Sequence, residues 1–384
     1  MKIKFSHKFV NSIEQIGEDI WQQFADQLSP FCQYPFLSAL ELSGSVGSST
    51  GWNPQHLIVY KNNQAVAVLP LYKKSHSYGE YVFDFAWANT YKQYGLSYYP
   101  KLICAIPFTP VTGPRLMLHS SSDLAEVSKV VCQILAEKVR LDGLSSMHWL
   151  FVEANISNAL VEHKQLLRRS VQFQWRNRQY GNFDDFLQAL NSRKRKSIRA
   201  ERKKVNNAGI SVERVHGNLL NETHMDFFYL CYQQTYLKRS GHGGYLTADF
   251  FKRIVHSMHN NIMLVIAKQN DTPIASALFF YDEFQLNGRY WGAIEEIDHL
   301  HFECCYYQGI EFCIERGISQ FNPGTQGEHK ILRGFEPIYC YSNHKLKELA
   351  FHDAVKRFIA TEDLTIEQYK EDAEKLLPFR QTNS

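Results

Sequence analysis

No stretch of the 384-residue chain is apolar enough to cross a bilayer; runs such as IMLVIA at 262–267 are far too short. The opening MKIKFSHKFV has no charged-then-apolar leader. The eight cysteines include no CxxC pair. Cys304 and Cys305 are adjacent, which suits neither a mutual disulfide nor a zinc knuckle. Reduced, mostly structural thiols in a cytoplasmic protein are therefore expected. No GxGxxG follows a strand and no GxxxxGK[ST] occurs, which argues against Rossmann and P-loop phosphate binding. GxSxG is missing too, so a serine hydrolase is disfavoured. The net charge is only +3, so an argument for a polyanionic partner has to be local.

Aromatic residues are plentiful at 14%, with 21 Tyr and 26 Phe. They suit filled cores and stacking clefts. The length favours two domains, each able to bury a core, and the pattern repeats. HLIVYKNNQAVAVLPLY (56–72) and IMLVIAKQNDTPIASALFFY (262–281) both read as strand, polar turn, strand. A helical segment precedes each, at 35–44 and 249–260. An aromatic strand follows each, EYVFDFAWA at 80–88 and QLNGRYWGA at 285–293. A helix then leads to a strand in each half: 123–143 to 147–153, and 302–317 to 318–323. The expected architecture is α/β, two domains with mixed, mostly antiparallel sheets, spanning 1–180 and 181–384. A last amphipathic helix is expected over 345–362, with Leu346, Leu349, Val355, Phe358 and Ile359 on its packing face.

One segment departs from the repeat. SRKRKSIRAERKKV (192–205) sets Arg193, Lys194, Arg195, Lys196, Arg199, Arg202, Lys203 and Lys204 against the single Glu201. Ile198 and Val205 form a narrow apolar seam, so a basic helix ending near 206–209 is expected. A solvated face is the ordinary role of such a run; eight cations in one helix equally suit a phosphorylated cofactor, a tRNA acceptor stem or an anionic membrane surface.

The densest polar group is FNPGTQGEHKILRGFEP (321–337). It follows a short apolar strand and packs Gln326, Glu328, His329, Lys330 and Arg333 between glycines 324, 327 and 334. Glu328 and His329 are candidate general bases near neutral pH. Lys330 and Arg333 are candidate holders of a carboxylate, phosphate or oxyanion. A second cluster, DHLHFECCYYQG (298–309), offers His301 and Glu303 at a helix start with Tyr306 and Tyr307 behind. No metal-ligand spacing such as HExxH occurs, so a metal site is not expected. A third stretch, 85–116, holds Trp87, Tyr91, Tyr99, Lys101 and Arg115 among four prolines. It reads as a rigid loop forming either a cleft wall or a packed connection.

The segments YVFDFAWANTY, YYPKL, PFTPVTGPRL, GRYWGA, LHFECCYYQG and PGTQGEHKILRGFEP resemble those of the FemAB-like predicted N-acyltransferases, labelled for peptidoglycan biosynthesis or recognition. The resemblance runs over nearly the whole chain and implies two tandem GNAT-type acyltransferase domains. It also implies an acyl-CoA or aminoacyl-tRNA donor and an amine acceptor on a small molecule or a peptide such as a cell-wall precursor. The Arg/Gln-x-x-Gly-x-Gly/Ala pyrophosphate motif of GNAT enzymes is replaced before the second-half helix by HLHFECC, which leaves the donor open. The expectation is an N-acyltransferase centred on the second half. Its catalytic group would come from Glu328, His329 and Glu303. Arg289, Tyr290, Trp291, His301, Tyr306, Gln326, Lys330 and Arg333 would hold substrate, with tRNA on 192–205. The alternatives are a non-catalytic peptide or muropeptide recognition module and an aminoacyl-tRNA-dependent peptidyltransferase.

Overall fold

The structure, a computed structural model, describes residues 4–25, 29–325 and 327–380. The chain forms two compact units. Unit 1 comprises Met1–Ser170 and Tyr339–Glu367; unit 2 comprises Val171–Ile338 and Gln368–Ser384. The first crossing thus lies before the expected boundary near Tyr180, and the chain returns to unit 1 for 339–367. The return has a physical reason. Tyr341–Leu346 pair with a unit 1 strand, and Val355 and Ile359 pack on Trp87, Tyr91 and Tyr98.

The strands up to the first crossing are β1 (Phe5–Val10), β2 (Trp52–Pro54), β3 (His56–Lys61), β4 (Gln64–Leu69), β5 (Leu71–Lys74), β6 (Lys101–Cys104), β7 (Met117–Leu118), β8 (Ser146–Val152) and β9 (Leu166–Arg176). After it come β10 (Ile210–His216), β11 (Ile262–Gln269), β12 (Thr272–Tyr281), β13 (Gln285–Ala293), β14 (Gln320–Asn322) and β15 (Glu336–Leu346).

In unit 1, an antiparallel sheet runs β1-β3-β4-β7. A second sheet joins β2, β5 and β6 antiparallel, then β6 and β8 parallel, then β8 and β15 antiparallel. The parallel step is crossed by the helix Leu124–Leu141, which buries Val127, Val131, Leu135 and Val139 at helical spacing against this core. Asp123 caps it by accepting from the Glu126 amide.

In unit 2, β10, β11, β12 and β13 form an antiparallel meander. β13 then pairs parallel with β14, and β14 pairs antiparallel with β9. The helical segment between β13 and β14 runs Leu300–Phe302, widens to a π turn over Glu303–Tyr307, and resumes as Gln308–Arg316. The basic helix spans Ser192–Asn207; Asn191 caps it, and Ile198 and Val205 are its buried seam.

Three expectations are corrected. Residues 80–88 form no strand, and 85–116 is not irregular throughout: Phe85–Gln93 is a helix and Lys101–Cys104 a strand. Trp87 and Tyr91, one helical turn apart, are its buried pair. The final helix is Leu349–Lys375, because 345–346 finish β15.

Candidate active site

The site begins where β13 and β14 part. Their pairing covers only Gln285↔Gln320, Leu286↔Phe321 and Asn287↔Asn322. β14 then stops, since Pro323 has no amide to donate. Gly324 turns away at φ 91°, with its Cβ position 3.2 Å from the Gly288 carbonyl oxygen. β13 continues to Ala293 beside β12. A register shift opposite Leu278 and Phe279 leaves Arg289 as the extra residue of a bulge, between Gly288 and Tyr290. The edge of β13 beyond Asn287 thus carries backbone groups that β14 does not pair. On its far end Gly292 lies under the helix Glu222–Ser240: a Cβ there would sit 1.9 Å from the Cys231 carbonyl oxygen.

Next to this opening lies the 3-10 turn Glu328–Arg333, which ends at Gly334 with φ 84°. The Lys330 ammonium nitrogen ties the turn to the end of β14 by donating to the carbonyls of Gly324 (2.7 Å) and Thr325 (3.2 Å). Burial pushes its pKa down to about 7. The His329 Nε2 lies 2.8 Å from the Tyr306 hydroxyl. The His329 ring meets Phe302 at 5.5 Å and His301 at 6.1 Å, and His301 meets Trp291 of β13 at 5.6 Å. β13, the helix start and the turn therefore converge on two imidazoles. Burial, with the nearby His329 charge, pushes His301 down to about 3. Desolvation, Arg333 and Lys330 lower His329 below the usual imidazole value. Both rings are neutral at pH 7. If His329 donates Nε2–H to the Tyr306 oxygen, its Nδ1 lone pair is free to take a proton.

A buried ionic frame sits behind them. Arg202 grips Glu303 through Nε (3.0 Å) and Nη2 (2.9 Å), and Glu311 through Nη1 (2.6 Å) and Nη2 (3.2 Å). Gln308 adds a hydrogen bond to Glu303 at 2.8 Å. Glu201 accepts from Arg333 Nη2 at 2.9 Å and from the Tyr307 hydroxyl. Arg333 also donates to the Tyr307 oxygen and to the His329 carbonyl, both at 2.9 Å, while stacking over Phe302.

These interactions change several expected roles. Glu303 is 5% exposed and bound to Arg202, so it is held as a structural anion and is not free to act as a base. Lys330 donates to the Gly324 and Thr325 carbonyls and Arg333 to Tyr307, His329 and Glu201, so both help to hold the turn itself. Arg202 belongs to the frame, and Arg199 pairs with Asp184 at 2.8 Å. The other basic-helix cations named above, Arg193, Lys194, Arg195, Lys196 and Lys203, make no ion pair among the described residues. Glu328 is exposed and accepts from the Tyr369 hydroxyl at 3.3 Å. Arg289 stacks on Tyr290 at 4.9 Å. Gln326 lies outside the described residues.

The first-half candidates lie in unit 1. Trp87, Tyr91, Lys101 and Arg115 are buried and line no open wall. Lys101 pairs with Glu80 and Asp84, and Arg115 donates to the carbonyls of Leu150 and Val111. Tyr99 is half-buried and bonds Ser77 at 2.8 Å. Sequence reasoning missed Glu201, whose signal was its position as the lone acid in a run of cations. Among the described residues, no group of three or more His, Cys, Asp or Glu could hold a metal, and no helix is long and apolar enough to cross a membrane.

A family profile, FemAB-like, described as peptidoglycan biosynthesis/recognition, matches residues 12–381. No curated protein matches the sequence. Among solved structures, FemX superposes with a TM-score of 0.54 at 11% identity, over 91% of this chain and 100% of its own. L-PGS from Bacillus licheniformis gives 0.49 at 11% identity, over 84% and 96%. A tandem GNAT protein from the clavulanic acid biosynthesis pathway gives 0.47 at 7% identity, over 89% and 98%. At these identities, the likeness to FemX establishes the fold.

Proposed function

The chain belongs to the FemAB-like family of peptidoglycan biosynthesis or recognition, and from that premise we propose that unit 2 transfers an acyl or aminoacyl group to an amine. The observation that carries the reading is the neutral His329 at the mouth of the β13–β14 opening, held through Tyr306 and through the tie of Lys330 to the end of β14. Beyond Asn287 β14 no longer pairs with β13, and the opening there is where the carbonyl under attack would lie, its oxygen gaining charge beside the strand backbone. The amine attacks that carbonyl. A C–N bond forms, His329 Nδ1 takes the amine proton, and the C–S or C–O bond to the donor breaks as its leaving group accepts the proton. Tyr306 orients the ring. Glu328, exposed beside it, is a secondary candidate to relay the proton to solvent.

Acyl-CoA and aminoacyl-tRNA are the two candidate donors for this transfer. The unpaired cations of Ser192–Asn207 favour the polyanionic one, aminoacyl-tRNA. The recognition alternative drew on aromatic walls and on the missing pyrophosphate motif; of the first-half rings, Trp87, Tyr91 and Tyr98 are buried and Tyr94 is exposed.

Transfer to an amine acceptor is measured with each donor for the wild type, His329→Ala and Tyr306→Phe. Loss of the base lowers kcat by about 10²–10⁴-fold, and Tyr306→Phe by a smaller factor. The acid limb of the wild-type rate profile falls below pH 6.5, because the ring titrates below its ordinary value. A wild-type rate for His329→Ala, or no transfer from either donor, overturns the proposal.

A further inference from the structure

Segment 76–85 of unit 1 holds aromatic rings out in water. Tyr78 is 61%, Phe83 60% and Phe85 46% exposed. They form one patch: His76 meets Tyr78 at 5.2 Å, Tyr78 meets Phe85 at 6.5 Å, and Phe83 stacks on Phe85 at 6.2 Å. Isolated exposed rings are ordinary, but a contiguous set marks an interaction surface.

The residues between the rings are anchored deep in the unit. The fully buried Lys101 ammonium donates to Ser77 Oγ (2.8 Å) and Glu80 Oε2 (2.8 Å) and binds Asp84. Tyr98 donates to Asp84 at 2.7 Å. The buried Lys74 holds the Tyr78 carbonyl (3.3 Å), and Arg168 holds that of Phe83 (2.8 Å). Hydrophobic replacements would stabilise such an interior as well as buried lysines do. What the lysines add is a fixed segment: positions 77, 80 and 84 are pulled in, so 78, 83 and 85 point out. Rings fixed in advance bind without paying the ordering entropy again.

Charge selects the partner. Between residues 73 and 97 the acids are Glu80 and Asp84, both buried and bound to Lys101. The cations there that reach solvent are Lys73 and Lys92. Lys92 lies two helical turns from Phe85 and so shares its face. With no exposed acid between residues 73 and 97, and with the neighbouring Glu362 bound by the same Arg168 that holds the Phe83 carbonyl, these rings beside Lys92 match the boundary between headgroups and acyl chains of an anionic bilayer. A single-stranded nucleic acid would need a longer track of cations. We propose that the patch of His76, Tyr78, Phe83 and Phe85, with Lys92, docks unit 1 on an anionic lipid surface. The inference does not depend on the chemistry of His329.

The test is co-sedimentation of the full chain with vesicles of phosphatidylcholine alone, and of equal parts phosphatidylcholine and phosphatidylglycerol. The wild type is expected to sediment with the anionic vesicles and several-fold less with the neutral ones. Tyr78→Ser/Phe83→Ser/Phe85→Ser is expected to lower anionic partitioning at least about tenfold, with an unchanged unfolding midpoint because all three rings are exposed. Equal sedimentation of variant and wild type, or no wild-type sedimentation with anionic vesicles, overturns the proposal. So does a wild-type dimer that the triple variant converts to monomer, which would make a second copy the occupant. Binding to poly(U) that the triple variant abolishes would overturn it in favour of nucleic acid.

Discussion

Arg202→Met tests whether the frame behind His329 is held by charge. The arginine makes hydrogen bonds of 2.6–3.2 Å to Glu303 and Glu311 and lies over the Phe183 ring. Methionine keeps much of the stem's packing and removes the charge. Glu303, 5% exposed, then retains Gln308 as its partner in the frame, while Glu311 can turn to solvent. Breaking a buried pair by removing one partner costs about 3–5 kcal/mol, chiefly for the stranded charge. The partial exposure of Glu311 places this case near the lower figure, about 3 kcal/mol. At roughly 2–4 °C per kcal/mol for a unit of this size, the unit 2 transition in scanning calorimetry should fall by about 6–12 °C. Arg202→Met/Glu303→Gln removes the stranded charge and should recover most of that loss. The double variant should also keep transfer activity, because Glu303 anchors the frame and does not move the proton. A drop under about 2 °C for the single variant, or no recovery in the double, would refute the reasoning. A folded but inactive double variant would return Glu303 to the chemistry.

Three further outcomes are expected. Burial depresses Lys74 and Lys330 to about 7 in the folded chain against 10.5 unfolded, so the unfolded state binds more protons above pH 7 and stability rises with pH. Each lysine adds at most about 1.4 kcal/mol per pH unit. The rise should reverse above pH 9, where Cys32, Cys132 and Cys340, pushed up to about 11 by burial, keep protons that the unfolded thiols lose. Urea midpoints between pH 6.5 and 10 read this maximum, and Lys330→Met should flatten the rising limb. Gly292→Ala drives a methyl to 1.9 Å from the Cys231 carbonyl oxygen, so the helix Glu222–Ser240 must lift from β13. A cost of at least about 1–3 kcal/mol is expected in urea unfolding, and wild-type stability would contradict that packing. Arg193→Glu/Lys196→Glu/Lys203→Glu should weaken aminoacyl-tRNA binding and flatten its dependence on log salt by about 0.7–0.9 for each phosphate no longer neutralised. An unchanged slope would remove the helix from the donor site.

The hairpins were legible because their signals are local. Asn62–Asn63 and Asn270–Asp271 all adopt positive φ, as tight turns between apolar runs require. The basic helix was legible from Asn191, Ile198 and Val205. Phe85–Gln93 was not, because an aromatic-rich run suggests a strand, and only the spacing of Trp87 and Tyr91 argues for a helix. The chain's return to unit 1 rests on β15 pairing with β8, a pairing between segments far apart in sequence. Candidate site residues were found by density, and density does not tell a free charge from a paired one. Lys330, Arg333 and Glu303 stood out as chemical groups, yet nothing in the sequence tied them to their partners, Gly324, Glu201 and Arg202. His329 and His301 were legible as imidazoles; their mutual approach across β13, helix and turn was not.

The basic helix joins two properties that the sequence presented as one. Eight cations in Ser192–Asn207 suggested a surface for a polyanion. The fold divides them. Arg202 turns inward beside Glu201, and together they hold Glu303, Tyr307 and Arg333. Arg193, Lys196, Lys203 and Lys204 fall on the opposite side by helical spacing. Arg333 then donates to the carbonyl of His329 itself. A load on the outer face of this helix is therefore one rigid element, and two side chains, from the backbone that carries the candidate base. That arrangement explains why a lone glutamate stands in a basic run. Glu201→Lys would enlarge the positive surface, but it would leave Arg333 facing a like charge and release the segment that positions His329.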